Sequence, residues 1–314
     1  MSENTLQPFQ PVLFFISKVF ILIGMVLVFS FAFLGIGLVA CKYLFEVDAL
    51  TNQSILNEYE SNIYVLRSLK FIQVLNTIGG FLLPAVLFSK ACNKAPSTFI
   101  GYATKPSLIN ILIGIGIMLV STPLIANLIH WNEAYTFPPK LAELEHKLRD
   151  MQTSAEQISN AFVKADGIGA LLLNMVIIAL VPAVCEEFFF RGALMRFLML
   201  CIKNKHVSVW VTALIFSMMH GEFFGLIPRM VLGVFLGYIA WYSGSIWPAV
   251  VAHFLNNGLA LISIYFKWNT SGIAFLDDSF VFPIYLVVVS TVITIGLIFF
   301  LKRNNPIIEE SYGE

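Results

Sequence analysis

Charge is scarce in this chain: of 314 residues, 19 are Lys or Arg and 19 are Asp or Glu, 12% in all, while 58% are hydrophobic. Soluble domains carry about a quarter charged residues, so a water-soluble globular class is excluded. The signs cancel to a formal net charge of zero, and with no basic excess nucleic acid is not a partner. The four cysteines, Cys41, Cys92, Cys185 and Cys201, form no CxxC pair, which excludes a zinc ribbon and a disulfide framework. Cys185 abuts two glutamates and reads as a small apolar filler. Short alternating segments are missing too, so a transmembrane β-barrel does not fit. No internal repeat or pair of broken helices marks a secondary transporter.

What is present is a series of long apolar runs. The first, from Phe14 to Val39, lacks a preceding basic region and a following small-residue cleavage site, so it reads as a retained helix rather than a signal peptide. About 20 apolar residues cross a bilayer. That length predicts an all-α, polytopic membrane protein of about eight transmembrane helices, near 14–40, 72–90, 107–130, 169–200, 207–221, 227–242, 245–264 and 279–301. Pro182 lies inside the fourth and predicts a kink there. Lys90, Lys94 and Lys105, then Lys203 and Lys205, then Lys302 and Arg303 fall on one side of such a bundle. The positive-inside rule makes that side, and both termini, cytoplasmic. The segments 41–71, 131–168 and 265–278 then lie outside. Within 131–168, Leu141, Leu144, Leu148 and Met151 form one apolar stripe, the pattern of an amphipathic helix lying on the membrane or capping the bundle.

Against this apolar background Glu186, Glu187, Arg191, His220, His253 and Asn257 stand out. A charged side chain at membrane depth costs roughly 2.5–3.5 kcal/mol on insertion scales. Glu187 and Arg191 are one helical turn apart and can pair. Glu186 projects about 100° away and is left for another task, such as acid or base catalysis. Phe216 and His220 share a helical face. His253 and Asn257 share another and can offer donors to an oxyanion, while Asn256 beside them points elsewhere. Two histidines and a glutamate also match a zinc triad in residue type, although the compact HExxH motif is absent. A Glu–His site that activates water without metal fits equally. Ser217 lies three residues before His220, but no GxSxG elbow surrounds it. The Gly233 to Gly237 spacing reads as a helix-packing face.

Taken together, Glu186-Glu187-x-x-x-Arg191, Phe216-x-x-x-His220 and His253-x-x-x-Asn257 resemble the CAAX protease and bacteriocin-processing family, also called CPBP or ABI. The resemblance covers residues 165–265. It divides the chain into an N-terminal membrane region (1–164), a catalytic core (165–265) and a last span with a short tail (266–314). It implies an intramembrane endopeptidase with an eight-helix-type core. Glu186, assisted by His220, would activate the hydrolytic water. His253 and Asn257 would polarise the scissile carbonyl, with Glu187, Arg191 and Phe216 in supporting roles. Family members are described both as metalloproteases and as metal-independent glutamate proteases, so a divalent metal such as zinc stays open. The implied substrate is a membrane-embedded or lipid-associated peptide, and the implied location is a bacterial plasma membrane. The alternative is a non-catalytic membrane scaffold or bacteriocin-immunity protein, in which the same residues would be a packing network.

Overall fold

The computed structural model describes residues 10–202, 204–266 and 280–305. Lys203, most of the 265–278 segment and the tail beyond 305 lie outside the described residues. Ten principal helices follow one another: α1 (Gln10–Leu44), α2 (Ile63–Ala91), α3 (Leu108–Val120), α4 (Thr122–Glu133), α5 (Ala142–Val163), α6 (Ile168–Cys201), α7 (Lys205–Met218), α8 (Leu226–Ser243), α9 (Trp247–Tyr265) and α10 (Ile284–Asn304). No strand occurs among the described residues.

Among the described residues, six helical spans are long and apolar enough to cross a bilayer, or seven if the bent pair α3–α4 is one span. The bend of 43° divides the run expected at 107–130. Its cause is Pro123, in the first turn of α4, which donates no N–H and crowds the carbonyl one turn back. The remaining expected crossing, α7, has 14 residues. At the usual rise that is about 21 Å, shorter than the roughly 30 Å hydrocarbon core, and α7 counts here as a short apolar helix.

Pro182 does not break α6. The helix widens into a π turn over Met175–Leu180 immediately before it. In α2 the turn Ile78–Leu82 stands in the same place before Pro84. A wider turn relieves the clash between a proline ring and the preceding carbonyl.

Contacts divide the chain into two units, Met1–Ala103 with Val184–Ser208, and Thr104–Ala183 with Val209–Glu314. In the first, α1 lies on α2 so closely that a Cβ at Gly79 would meet the Phe33 ring at 2.4 Å. Aromatic rings fill the rest of its interior: Phe81 contacts Phe189 and Phe190 at 5.4 and 5.6 Å, Phe88 meets Phe197 at 5.3 Å, and Tyr102 stacks on Phe188 at 5.7 Å. Lipid tails are as apolar as these side chains, so such close packing, rather than burial from water, holds the helices together.

In the second unit small residues set the helix spacing. Gly114 of α3 faces the Pro248 carbonyl of α9, and Gly233 of α8 lies against Ala213 of α7, with 3.3 and 3.2 Å from a built Cβ to the backbone of its neighbour. Polar clasps add direction. Asn127 and the Phe282 backbone exchange two hydrogen bonds of 2.9 and 2.8 Å, and Asn110 and Asn305 exchange two more. Helix α5 buries no residue, and Leu141 just before it and the stripe residues Leu144 and Met151 on it are exposed.

Candidate active site

The two adjacent glutamates have different surroundings. Glu187 and Arg191 are both fully buried, with Arg191 Nη1 donating to Glu187 Oε1 at 2.6 Å. A π turn over Phe188–Leu194 begins right after Glu187, and every residue of it is buried. Glu186 is only partly covered, and Arg191 lies within electrostatic reach of both acids. The buried guanidinium is therefore neutralised chiefly by Glu187, and Glu186 is the carboxylate with access to its surroundings. Cys185 is free and buried at 3% exposure.

The second unit holds Phe216, His220, His253 and Asn257. Helix α7 stops at Met218, and Gly221, at φ +72°, takes the left-handed conformation that closes helices. His220 thus lies in the turn beyond the helix instead of on its face, with its backbone N–H on the Ser217 carbonyl at 3.2 Å. Its Nδ1 is 2.8 Å from the Phe216 carbonyl. A carbonyl only accepts, so Nδ1 carries the proton and Nε2 keeps the lone pair. That tautomer suits a base toward water.

Phe216 connects the two histidines. Its ring is edge-on to His220, with centroids 4.9 Å apart, and edge-on to His253 at 6.0 Å. His253 is buried at 5% exposure, and Asn257 follows one turn later on α9. Asn256, expected to point elsewhere, donates from Nδ2 to Asn257 Oδ1 at 3.3 Å. That bond turns the Asn257 amide so that its NH₂ is the donor left for other partners. The Ser217 hydroxyl donates to the Leu226 carbonyl at 2.6 Å, a helix-packing bond rather than a link to His220.

Several residues near His220 carry no motif. Glu222 and Arg229 form an ion pair. Asn132 of α4 clasps the turn between them, its Oδ1 accepting from the Ile227 N–H at 3.0 Å and its Nδ2 donating to the Phe223 carbonyl at 3.4 Å. Phe137 packs on Phe223 and Phe224, and the Arg149 guanidinium lies 4.1 Å from the Phe224 ring centroid. Glu145 fixes this arrangement by accepting from the Phe137 N–H at 2.8 Å and from Arg149 Nε at 2.9 Å. The one sequence signal for any of these was a Glu and an Arg seven positions apart in an otherwise apolar stretch.

Zinc needs three or four converging donors. Among the described residues no three His, Cys, Asp or Glu side chains form such a group.

These features define a class: a polytopic helical membrane protein with an ion pair buried in one apolar helix and two histidines joined through a phenylalanine. Residues 168–259 match the family described as Rce1-like, Type II CAAX prenyl endopeptidase Rce1-like, and the chain carries a CAAX-protease-like domain over that stretch. No curated protein and no solved structure matches the chain.

Proposed function

We propose that the protein is an intramembrane endopeptidase that hydrolyses membrane-embedded or lipid-associated peptides. The observation that carries this reading is the family match over 168–259, which contains every residue of the three motifs. The separate environments of the glutamates support the assignment of roles, because Glu187 is fully buried against Arg191 at 2.6 Å whereas Glu186 is only partly covered. In this scheme Glu186 takes a proton from water, assisted by the bare Nε2 of His220. The water oxygen adds to the scissile carbonyl carbon. His253 and the Asn257 amide donate to the resulting oxyanion, and each such donor is worth about 2.7–4 kcal/mol in a dry site. The C–N bond then breaks as the proton passes to the departing amine. Eight crossings, with α7 as a short one, cytoplasmic termini and a bacterial plasma membrane complete the proposal.

The test is cleavage of a membrane-embedded peptide library by purified wild type and E186Q, with and without a strong zinc chelator. Loss of cleavage in E186Q alone supports the glutamate mechanism. Full activity in E186Q would reject it. Loss with chelator, restored by zinc, would transfer the chemistry to a metal. No cleavage by any sample, with E186Q less stable than wild type, would favour a non-catalytic scaffold.

A further inference from the structure

The Glu222–Arg229 pair is not used by the chemistry above, yet it lies beside His220. Glu222 follows His220 across a single glycine, and Arg229 sits in the first turn of α8. Their side chains are 25% and 28% exposed, and His220 is within electrostatic reach of both. The guanidinium rests on Gly225, where an added Cβ would stand 2.4 Å from Nη1 and 2.8 Å from Cζ. Gly225 has φ −109° and ψ 2°, a backbone open to other residues. Its glycine is therefore explained by the guanidinium occupying the place of a side chain. Arg229 Nη1 is buried and has no hydrogen-bond partner among the described residues. Arg149, by contrast, is fully engaged by Glu145, by the Glu133 and Tyr135 carbonyls and by the Phe224 ring.

A buried donor without an acceptor is costly, and a guanidinium presents paired donors that match a carboxylate. Resting on the endopeptidase reading, we propose that Arg229 binds a carboxylate of the peptide brought to His220, making it a specificity-determining residue. Glu222 neutralises the cation when no peptide is present and yields part of its hold when one arrives. The carboxylate comes either from a free C-terminus or from an acidic side chain.

The experiment uses the purified full chain in detergent and fluorescent leucine–alanine peptides of three kinds. One ends in a free acid, one in an amide, and one in an amide with a glutamate near that end. Binding is measured in the E186Q background, so that it does not depend on hydrolysis, and cleavage is measured with Glu186 present. At least one carboxylate form is expected to bind tenfold or more tightly than the plain amide, and which form does so identifies the source. R229Q should bring that ratio close to one, while R229K, which keeps the charge but loses the fork, should retain part of it. G225A keeps the charge and displaces the guanidinium, so it should lower the ratio even if R229Q does not fold. E222Q should raise it. Equal binding of all three peptides by the Arg229 chain, no binding of any, or a ratio unmoved by R229Q and G225A would overturn the proposal. A carboxylate preference governed by Arg229, with no cleavage of any peptide, would refute the endopeptidase reading and leave the carboxylate site standing.

Discussion

Neutralising Glu187 and neutralising Glu186 should produce opposite defects, although the residues are adjacent. In E187Q the side chain keeps its shape, so no cavity forms, but Arg191, fully buried beside it, loses its counter-ion. Desolvation of a buried ion costs several kcal/mol, and removing one partner of such a pair destabilises by about 3–5 kcal/mol. Against total stabilities of roughly 5–15 kcal/mol that is a large fraction. E186Q alters a partly covered side chain and should cost about 1 kcal/mol, the scale of one hydrogen bond, while abolishing turnover. The double variant E187Q/R191M removes both charges and should recover most of the loss, since replacing a whole buried pair with apolar groups is often neutral. Denaturant titration in mild detergent, followed by tryptophan fluorescence, measures all three, and peptide cleavage is assayed on the same samples. Equal destabilisation by the two single variants, or a double variant no more stable than E187Q, would refute the division of labour.

Asn132→Ala should strand the Phe223 carbonyl and the Ile227 N–H, costing about 1–3 kcal/mol; hydrogen exchange at Ile227 should rise and kcat fall more than KM changes, whereas unaltered exchange would remove Asn132 as the clasp. Nitrogen NMR of His220 should find Nε2 bare at neutral pH, and a protonated Nε2 would contradict the tautomer fixed by the Phe216 carbonyl. The Glu145 carboxyl is held below its ordinary value of 4.5, first by the Phe137 backbone N–H and then by Arg149. With the folded value depressed, this link contributes stability above about pH 4.5 and loses it as pH falls through the lower folded value. The Phe137 amide resonance should therefore titrate below 4.5 and stop doing so in E145Q; a midpoint at or above 4.5 would sink the idea. G233A should destabilise more than G258A, because the first meets the Ala213 backbone at 3.2 Å and the second only the flexible end of Met175 at 2.8 Å; the reverse order in thermal melts would count against backbone contact as the limit.

The helices were legible because apolar run length is a one-dimensional quantity. Their ends were less so. Gly221 stops α7 at Met218 by adopting φ +72°, and Pro123 divides the third run, whereas Pro182 is absorbed by a π turn. The same residue type thus bends one helix and is accommodated in another, according to how the preceding turn closes. The Glu187–Arg191 pair was readable because four residues make one turn. The meeting of Phe216 with His253 was not, since it depends on how α7 and α9 pack, and neither was the Asn132 clasp, which spans 95 positions. The Glu222–Arg229 pair, seven positions apart, closes across the turn at Phe223–Gly225 rather than along one helix, so its spacing alone does not show that the two side chains meet.

These long-range contacts answer a problem that the sequence hides. His220 lies beyond the end of its helix, so helical hydrogen bonding fixes its backbone only through Ser217. The assisting role proposed for His220 requires it to be held to within tenths of an ångström of its working position. The turn that follows is accordingly held from several directions: by Asn132 at Phe223 and Ile227, by Phe137 and Arg149 at Phe224, and by Arg229 at Glu222. Phe137 reaches the turn from the segment between α4 and α5, and Arg149 from α5 itself, whose stripe residues Leu144 and Met151 are exposed. The tie from Glu145 and Arg149 to Phe137 and Phe224 gives the start of α5 a structural connection to the His220 turn without burying any of the helix. Under the proposed function, Arg149→Gln, which removes the cation from the Phe224 ring, should therefore lower kcat while leaving the thermal melt unchanged, and an unaltered kcat would break this connection.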